Sequence, residues 1–248
     1  MEHELGLTRL FNENLAGLAN GILSAVGLTA HDAAHPWENW VVMELLVVVL
    51  LVLAVLVVRS QLSADKPGIL QHLFEGVHGF LTTTVHQVGI HHGEKFVPYL
   101  GTCFLFILSM NLIGIIPAFE SPTMVPFVGA GLAICTFVYY NVQGLKANGL
   151  GYLKHFMGPV AWLAPLMIPI EIISHFVRPL SLTVRLYGNM FAGEQVTLVF
   201  LGLTYLIIPV IFMLLHVFVS FVQAYVFTLL TTIYVGTSVS HDDHIDLV

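Results

Sequence analysis

The sequence predicts an all-α polytopic membrane protein with about five membrane-embedded helices, one interfacial amphipathic helix and two long, steeply tilted helices at the end. Of its 248 residues, 57% are hydrophobic and 9% are charged, whereas about a quarter are charged in an average soluble domain. Several apolar runs approach the ~20 residues that a helix needs to cross a bilayer. The formal net charge of −7 argues against a nucleic-acid partner, because phosphate binding needs clustered Lys and Arg.

Residues 1–38 are expected to form an N-terminal extramembrane segment on the outer side of the membrane. Only Arg9 opposes several glutamates there, so the segment lacks the positively charged start of a signal peptide. The first transmembrane helix is predicted over residues 39–59. Its apolar run is interrupted only by Glu44 and follows two tryptophans, which is typical of a span with an aromatic anchor.

Residues 60–95 are predicted to be a cytoplasmic region built around an interfacial amphipathic helix, because apolar residues recur there at helical spacing among polar ones. Residues 96–145 are predicted to be a transmembrane hairpin, whose two spans are joined by a proline-containing link. A cytoplasmic loop marked by two lysines follows over residues 146–158.

Residues 159–240 are predicted to form the two long helices, with a turn within 193–209 where glycine and proline occur, and residues 241–248 a C-terminal tail. Each long helix would contain roughly 30 residues or more, although ~20 suffice to cross a bilayer. Such helices tilt or kink, and Pro165, Pro169, Pro179 and Pro209 favour kinks.

The basic residues beside the spans predict the orientation of the chain. They flank the 60–95 and 146–158 segments, whereas the other two links between spans contain none. Because basic residues concentrate on the cytoplasmic side, five spans place the N-terminus outside and the C-terminus in the cytoplasm.

Four charged side chains interrupt the apolar sequence of the first long helix: Glu171, Arg178, Arg185 and Glu194. An insertion scale assigns ~2.5–3.5 kcal/mol to an Arg or Asp near a helix centre, so these residues indicate function. The first three are seven apart and share one stripe, and His175 and Asn189 lie on a neighbouring stripe. Glu194 follows Arg185 by nine residues and projects about 180° away. The two charges therefore serve different surfaces.

Polar residues of the last helix repeat this pattern, because His216 and Gln223 are seven apart and Tyr234 follows on nearly the same face. Titratable and amide groups on two adjacent membrane helices indicate a wet, proton-conducting path between them. Two plainer interpretations stay open. Arg178 could snorkel to a membrane interface, and His216 could be a satisfied packing histidine.

Three stretches of the chain closely resemble subunit a of the F-type ATP synthases. They are "PLSLTVRLYGNMFAGEQV" (179–196), "HVFVSFVQAYVFTLLTTIY" (216–234) and "NLIGIIP" (111–117). The similarity covers about 98–234, and the first 90 residues resemble only the general layout of the family. The resemblance implies the stator half of a rotary proton motor. In such a motor, two aqueous half-channels open from opposite sides onto a ring of c subunits, each with a membrane carboxylate.

The resemblance also implies roles for individual residues. Arg185 matches the essential arginine that faces the c-ring, releases the proton from each passing carboxylate and blocks leakage between the half-channels. The implied residues of the outer half-channel are Glu194, His216, Asn189 and Gln223. Those of the cytoplasmic half-channel are Glu171, His175 and Ser181. Further candidates are Asn111, Arg178 and Tyr234. Gly114 is a departure, because some members of the family have an acidic residue there.

The partners implied by the resemblance are the c-ring, a b-type peripheral stalk, the remaining ATP synthase subunits and membrane lipid, in a bacterial-type plasma (inner) membrane. No cofactor and no metal are expected. The chain has no GxxxxGK[ST] phosphate loop, so neither direct ATP binding nor a catalytic site of its own is expected. The choice between protons and sodium ions stays open, since the ion ligands mostly belong to the c subunit.

Two other classes of protein compete with this one. A membrane metalloenzyme would account for the histidines of "HDAAH" (31–35) and "HQVGIHH" (86–92). However, the predicted topology places these two stretches on opposite faces of the membrane, where they cannot share a metal. The terminal "HDDH" (241–244) is expected to be a solvated tail. A secondary transporter would also fit charged residues in the membrane, but it would more often show additional spans and an inverted repeat.

Overall fold

The computed structural model describes residues 5–25, 35–62, 68–90, 93–116, 119–149, 152, 164–203 and 207–239. Regular structure in these ranges consists of α-helices and two short 3-10 helices, at Gly93–Phe96 and Pro122–Met124. The α-helices, in chain order, are α1 (Gly6–Ala25), α2 (Asn39–Ser60), α3 (Ile69–Gln87), α4 (Val97–Ile113), α5 (Pro126–Asn148), α6 (Ala164–Leu203) and α7 (Ile207–Val239).

Five of these helices are long and apolar enough to cross a membrane by length and composition: Asn39–Ser60, Gly93–Ile113 with its leading 3-10 turn, Pro126–Asn148, Pro165–Leu203 and Val210–Val239. This finding confirms the predicted all-α polytopic membrane fold. The location of α3 at the membrane surface and the tilt of α6 and α7 stay predictions.

The core lies where α7 packs against α4, α5 and α6. On α6, Leu182, Leu186 and Met190 are buried, and their spacing of four residues places them on one face. Small residues let the helices approach closely. A Cβ atom at Gly129 of α5 would lie 3.3 Å from the carbonyl oxygen of Thr183. The position of α6 is therefore fixed by close contacts on two sides.

The amphipathic helix α3 covers one end of this bundle. Its buried side chains, which include Leu81 and Val85, pack with the start of α4. The Phe80 ring lies 6.1 Å from that of Phe104 on α4 and 5.4 Å from that of Tyr225 on α7. This helix therefore belongs to the packed body of the protein. The predicted 60–95 region also includes residues 63–67, 91 and 92, which lie outside the described residues.

The helix α6 ends at Leu203 and α7 begins at Ile207, two positions that both lie in the 193–209 stretch where the turn is predicted. Gly193, where that stretch begins, is itself helical. The helix α6 also continues through Pro169 and Pro179. Residues 204–206 lie outside the described residues, as do most of the predicted 146–158 loop and the whole 241–248 tail.

Candidate functional site: an arginine between two polar clusters

Two groups of polar side chains lie far apart along α6, with Arg185 between them. The Glu194 cluster contains Glu194, Glu120 and His216, and the Glu171 cluster contains Glu171, Arg178, His175 and Tyr234. At 1.5 Å per residue, Glu171 and Glu194 are separated by ~34 Å along the helix. Along the same helix, Arg185 is ~21 Å from Glu171 and ~13 Å from Glu194. A proton at one glutamate cannot pass directly to the other over such a distance.

The Glu194 cluster opens into a cavity of about 400 Å³, which we call the Glu194 cavity. Its walls come from α6, from the start of α2 and from the link between α4 and α5. The carboxylates of Glu38 and Glu120 line it together with Glu194. A water molecule has a share of ~30 Å³ in the liquid, so several waters fit among these groups.

His216 packs directly against the backbone next to Glu194. A Cβ atom at Gly193 would lie 3.2 Å from Nδ1 of His216, so glycine provides the space that the imidazole needs. Within the described residues, the buried Nε2 atom of His216 has no hydrogen-bond partner. A buried polar atom normally has a partner, so this nitrogen is available to a water molecule or to a group of another subunit.

Arg185 lies on a different face of α6 from the Glu194 cavity. Its Nη2 atom lies 3.5 Å from the Ser181 hydroxyl, one turn earlier, at the long limit of a hydrogen bond. One turn later, Asn189 donates to Oε1 of the buried Gln223 on α7 at 2.8 Å. Ser181 and Asn189 are exposed and Arg185 is half-buried. These three residues thus form a polar strip on the outside of the α6–α7 pair.

In the Glu171 cluster, the two charged side chains pair with each other. Nη2 of Arg178 lies 3.6 Å from Oε1 of Glu171, and both side chains are about one quarter exposed (27% and 26%). The guanidinium also lies over the Tyr234 ring of α7, 5.3 Å from its centroid, which is within the range of a cation–π contact. Arg178 therefore has partners inside the chain, and snorkelling alone does not account for it.

His175 completes this cluster through a helix that the sequence did not implicate. Its Nε2 atom lies 3.0 Å from Oδ1 of Asn141 on α5, and an amide oxygen can only accept, so Nε2 donates. The Tyr152 hydroxyl donates to the same oxygen at 3.0 Å. Burial raises the pKa of Tyr152 above its ordinary value, so this hydroxyl keeps its proton at neutral pH. The Phe137 and Tyr140 rings enclose the imidazole.

The candidate Asn111 lies next to the Glu194 cavity rather than on it. Its side chain is fully buried and accepts a hydrogen bond from Thr123 at 2.7 Å. The Thr123 hydroxyl lies 2.7 Å from that of Ser121, which lines the cavity. At the departure Gly114, a Cβ atom would come within 2.7 Å of Cβ of Ser121. A side chain at Gly114 therefore has no room, because the link between α4 and α5 packs directly onto this position.

The histidine-rich stretches form no metal centre in the part of the chain that the structure describes, where no three metal-ligating side chains come together. Of these histidines, His35 and His86 fall within the described ranges. His31, His91, His92, His241 and His244 lie outside the described residues.

Comparison with known proteins identifies the family. The family model "ATP synthase A chain" matches residues 40–236, a range that begins at the start of α2 and ends near the end of α7. The chain belongs to the ATP synthase subunit a family. The ATP synthase subunit a of Solibacter usitatus is 55% identical over 234 residues, covering 94% of this chain and all of that protein. That of Koribacter versatilis is 47% identical over 242 residues, covering 97% and 99%.

Relatives in other bacteria carry the same name. The ATP synthase subunit a of Geotalea uraniireducens is 43% identical over 192 residues, covering 76% of this chain and 84% of that protein. Together with the five apolar helices, membership of the subunit a family makes the chain a multi-pass membrane protein of the ATP synthase. It also decides against the metalloenzyme and the secondary transporter.

The structure adds residues that the sequence analysis missed. Glu120 and Asn39 border the Glu194 cavity, and Asn141 and Tyr152 hold His175. A polar residue inside an apolar span was a usable signal for Asn141. Glu120 and Asn39 gave no such signal, because polar residues are ordinary in links and at helix starts.

Proposed function

We propose that the chain is the proton-conducting stator subunit of a rotary F-type ATP synthase. Two offset half-channels would deliver protons to the carboxylates of the c-ring and remove them again. The observation that carries the proposal is the separation of the Glu194 and Glu171 clusters by ~34 Å along α6, with Arg185 between them. A half-buried carboxylate at each end of this stretch, and between them an arginine that cannot relay a proton, fit a path that a proton can complete only on a moving partner.

Arg185 is the gate in this proposal. A guanidinium keeps its proton in a protein, so Arg185 attracts a passing carboxylate without relaying a proton itself. Its location on the polar strip supports this role, because the neighbouring side chains of Leu180 and Val184 are about 60% exposed in the isolated chain. A hydrophobic face that carries one permanent charge fits a partner in the membrane that presents a carboxylate.

The two clusters supply the approaches on either side. Glu194, His216, Asn189 and Gln223 would form the outer half-channel, supported by the Glu194 cavity and by the Asn189–Gln223 bond. Glu171 and His175, with Ser181 nearby, would form the cytoplasmic half-channel. Here Arg178 pairs with the carboxylate of Glu171, and the Tyr234 ring packs against the guanidinium of Arg178.

The remaining parts of the proposal follow from the family. The partners would be the c-ring, the b-type stalk and the other synthase subunits, with the N-terminus outside and the C-terminus in the cytoplasm of a bacterial-type plasma membrane. The chain would carry no catalytic site of its own and bind no ATP. One charge that crosses 100 mV releases only ~2.3 kcal/mol, so several crossings must be accumulated by rotation for each ATP.

The decisive test is Arg185→Ala in the whole complex, reconstituted in vesicles. We expect proton-driven ATP synthesis to be lost while the c-ring and the stalk still copurify with the chain. The matched control is Arg59→Ala, which removes an exposed arginine at the end of α2, away from both clusters. ATP synthesis by Arg185→Ala at a normal rate would overturn the proposal. Isolation of the chain as a transporter that works without a c-ring would do the same.

A further inference from the structure

Glu120 lies at the Glu194 cavity in a defined position, because Asn39 holds its carboxylate. Nδ2 of Asn39 donates to Oε2 of Glu120 at 3.3 Å. The opposite atom of the same amide, Oδ1, accepts from the backbone N–H of Leu5 at 3.2 Å. Asn39 thus bridges the residue that precedes α1 and the carboxylate on the link between α4 and α5.

The helix α1 is docked firmly enough to hold this bridge. The amide of Asn12 makes two hydrogen bonds with the backbone of Trp37, donating to its carbonyl at 3.2 Å and accepting from its N–H at 3.0 Å. The Trp37 indole N–H donates to the carbonyl of Leu15 at 3.0 Å, and the Phe11 ring lies edge-on to the indole. These contacts attach α1 to Trp37, which lies two residues before Asn39 in the chain.

The chain on the other side of Glu120 is fixed as well. The next residue, Ser121, is buried and donates to the carbonyl of Met110 on α4 at 2.9 Å. It packs so closely on Gly114 that a Cβ atom there would come within 3.0 Å of its backbone nitrogen. The backbone of Glu120 is therefore fixed by the anchored Ser121, and its carboxylate is fixed by the hydrogen bond from Asn39.

We propose that Glu120 is the carboxylate that collects protons for Glu194 and that Asn39 is its positioning residue. This inference rests on the proposed function and names where the outer path begins. A hydronium ion in the cavity gives its proton to Glu120, and water carries it on to the carboxylate of Glu194. Each transfer forms one O–H bond and breaks another, so one positive charge moves inward and no co-reactant is consumed.

Three charged groups line the Glu194 cavity within the described residues: Glu38 before α2, Glu120 on the link and Glu194 on α6. Glu38 is less suited to collection, because it is exposed and its carboxylate accepts from the Trp40 indole N–H. Glu120 is half-buried in the cavity wall. Clefts lined by one sign of charge raise the local concentration of the opposite ion by about tenfold or more.

The test is Glu120→Gln in the reconstituted complex, with the chain's outer side facing the vesicle lumen. The rate of ATP synthesis is measured while the luminal pH varies at constant external pH and membrane potential. We expect the luminal proton concentration for half-maximal rate to rise about tenfold, one pH unit, with the maximal rate in acid unchanged. Glu120→Asp should restore most of the difference. Asn39→Leu, which leaves the carboxylate but releases it, should shift the midpoint in the same direction by less.

The matched control is Glu13→Gln, the same change at an exposed glutamate of α1 that pairs with Arg9, outside the cavity. An unchanged midpoint in Glu120→Gln would overturn the inference, as would an equal shift in Glu13→Gln, which would point to general surface charge. A fall in maximal rate at an unchanged midpoint would show a structural role only. Arg185→Ala, run in parallel, separates the hypotheses. If it is inactive while Glu120→Gln behaves normally, the proposed function stands and only the role of Glu120 is lost.

Discussion

Gly144 of α5 offers the sharpest test of how the Glu171 cluster is held in place. A Cβ atom at this position would lie 2.8 Å from Cε2 of Tyr152, 3.0 Å from Cβ of Ser238 and 3.1 Å from the carbonyl oxygen of Ser238. Favourable contacts between heavy atoms lie at about 3.5–4.0 Å. Because Ser238 belongs to α7, and its backbone cannot rotate away, Gly144→Ala must separate the two helices.

The size of the effect follows from a comparison with Gly131, on the exposed side of the same helix. A Cβ atom at Gly131 meets nothing within 4 Å. Both substitutions gain ~0.5–1 kcal/mol because alanine loses less backbone entropy than glycine, and this gain cancels when the two variants are compared. The remaining difference is the overpacking at Gly144, ~1–3 kcal/mol. At ~2–4 °C per kcal/mol for a chain of this size, Gly144→Ala should melt roughly 2–12 °C below Gly131→Ala.

The assay is thermal unfolding of the purified complex in detergent, followed by the chain's loss of helix and its release from the complex. The same separation of α5 from α7 should disturb Asn141, one turn earlier, and through it His175. Gly144→Ala should therefore also lower the rate of ATP synthesis more than Gly131→Ala does. If Gly144→Ala melts at or above the temperature of Gly131→Ala, the close contact between α5 and α7 is not as described.

Two further predictions concern the clusters themselves. Glu194→Gln and His216→Ala should each lower passive proton conductance through the reconstituted complex without eliminating it. Water can replace one relay group, and ordering a water costs up to about 2 kcal/mol, which is at most ~30-fold in rate. Conductance that is unchanged in both, or absent in either, would contradict the relay. Asn141→Leu should destabilise the complex by ~1–3 kcal/mol in the same thermal assay, because it removes the oxygen to which the buried His175 and Tyr152 both donate. An unchanged melting temperature would exclude that role.

The sequence was most informative where a residue is costly in a membrane. The charged groups of α6 stood out because each costs ~2.5–3.5 kcal/mol near a helix centre. Helical spacing then placed Arg178 on the same stripe as Glu171, where the two form an ion pair. The same spacing separated Arg185 from Glu194, and the structure places them at the polar strip and at the cavity. The five apolar helices were predictable as well, since apolar runs of that length seldom occur outside a membrane.

Neutral partners carry no comparable signal. Asn141 contributes the oxygen that binds both His175 and Tyr152, yet an asparagine in a span is less costly than a charge and had no spacing to a known candidate. Tyr152 falls in a segment that was predicted only as a loop. Glu120 and Asn39 meet across 81 positions of the sequence, and no periodicity can predict such a contact. These contacts depend on how α5 packs against α6 and α7 and on how α2 packs against the link between α4 and α5.

The ionisable residues and the neutral residues that position them lie largely on different helices. The helices α6 and α7 supply most of the ionisable groups, while Asn141 of α5 binds His175 and Asn39 of α2 binds Glu120 on the link between α4 and α5. Different residues therefore position the two clusters. Neither cluster contacts Arg185, which lies ~13 Å from Glu194 and ~21 Å from Glu171 along α6. Arg185 is half-buried on an apolar face, and within the described residues its guanidinium meets only the Ser181 hydroxyl, 3.5 Å from Nη2. A carboxylate that another subunit brings to this face would offset the cost of placing the charge there.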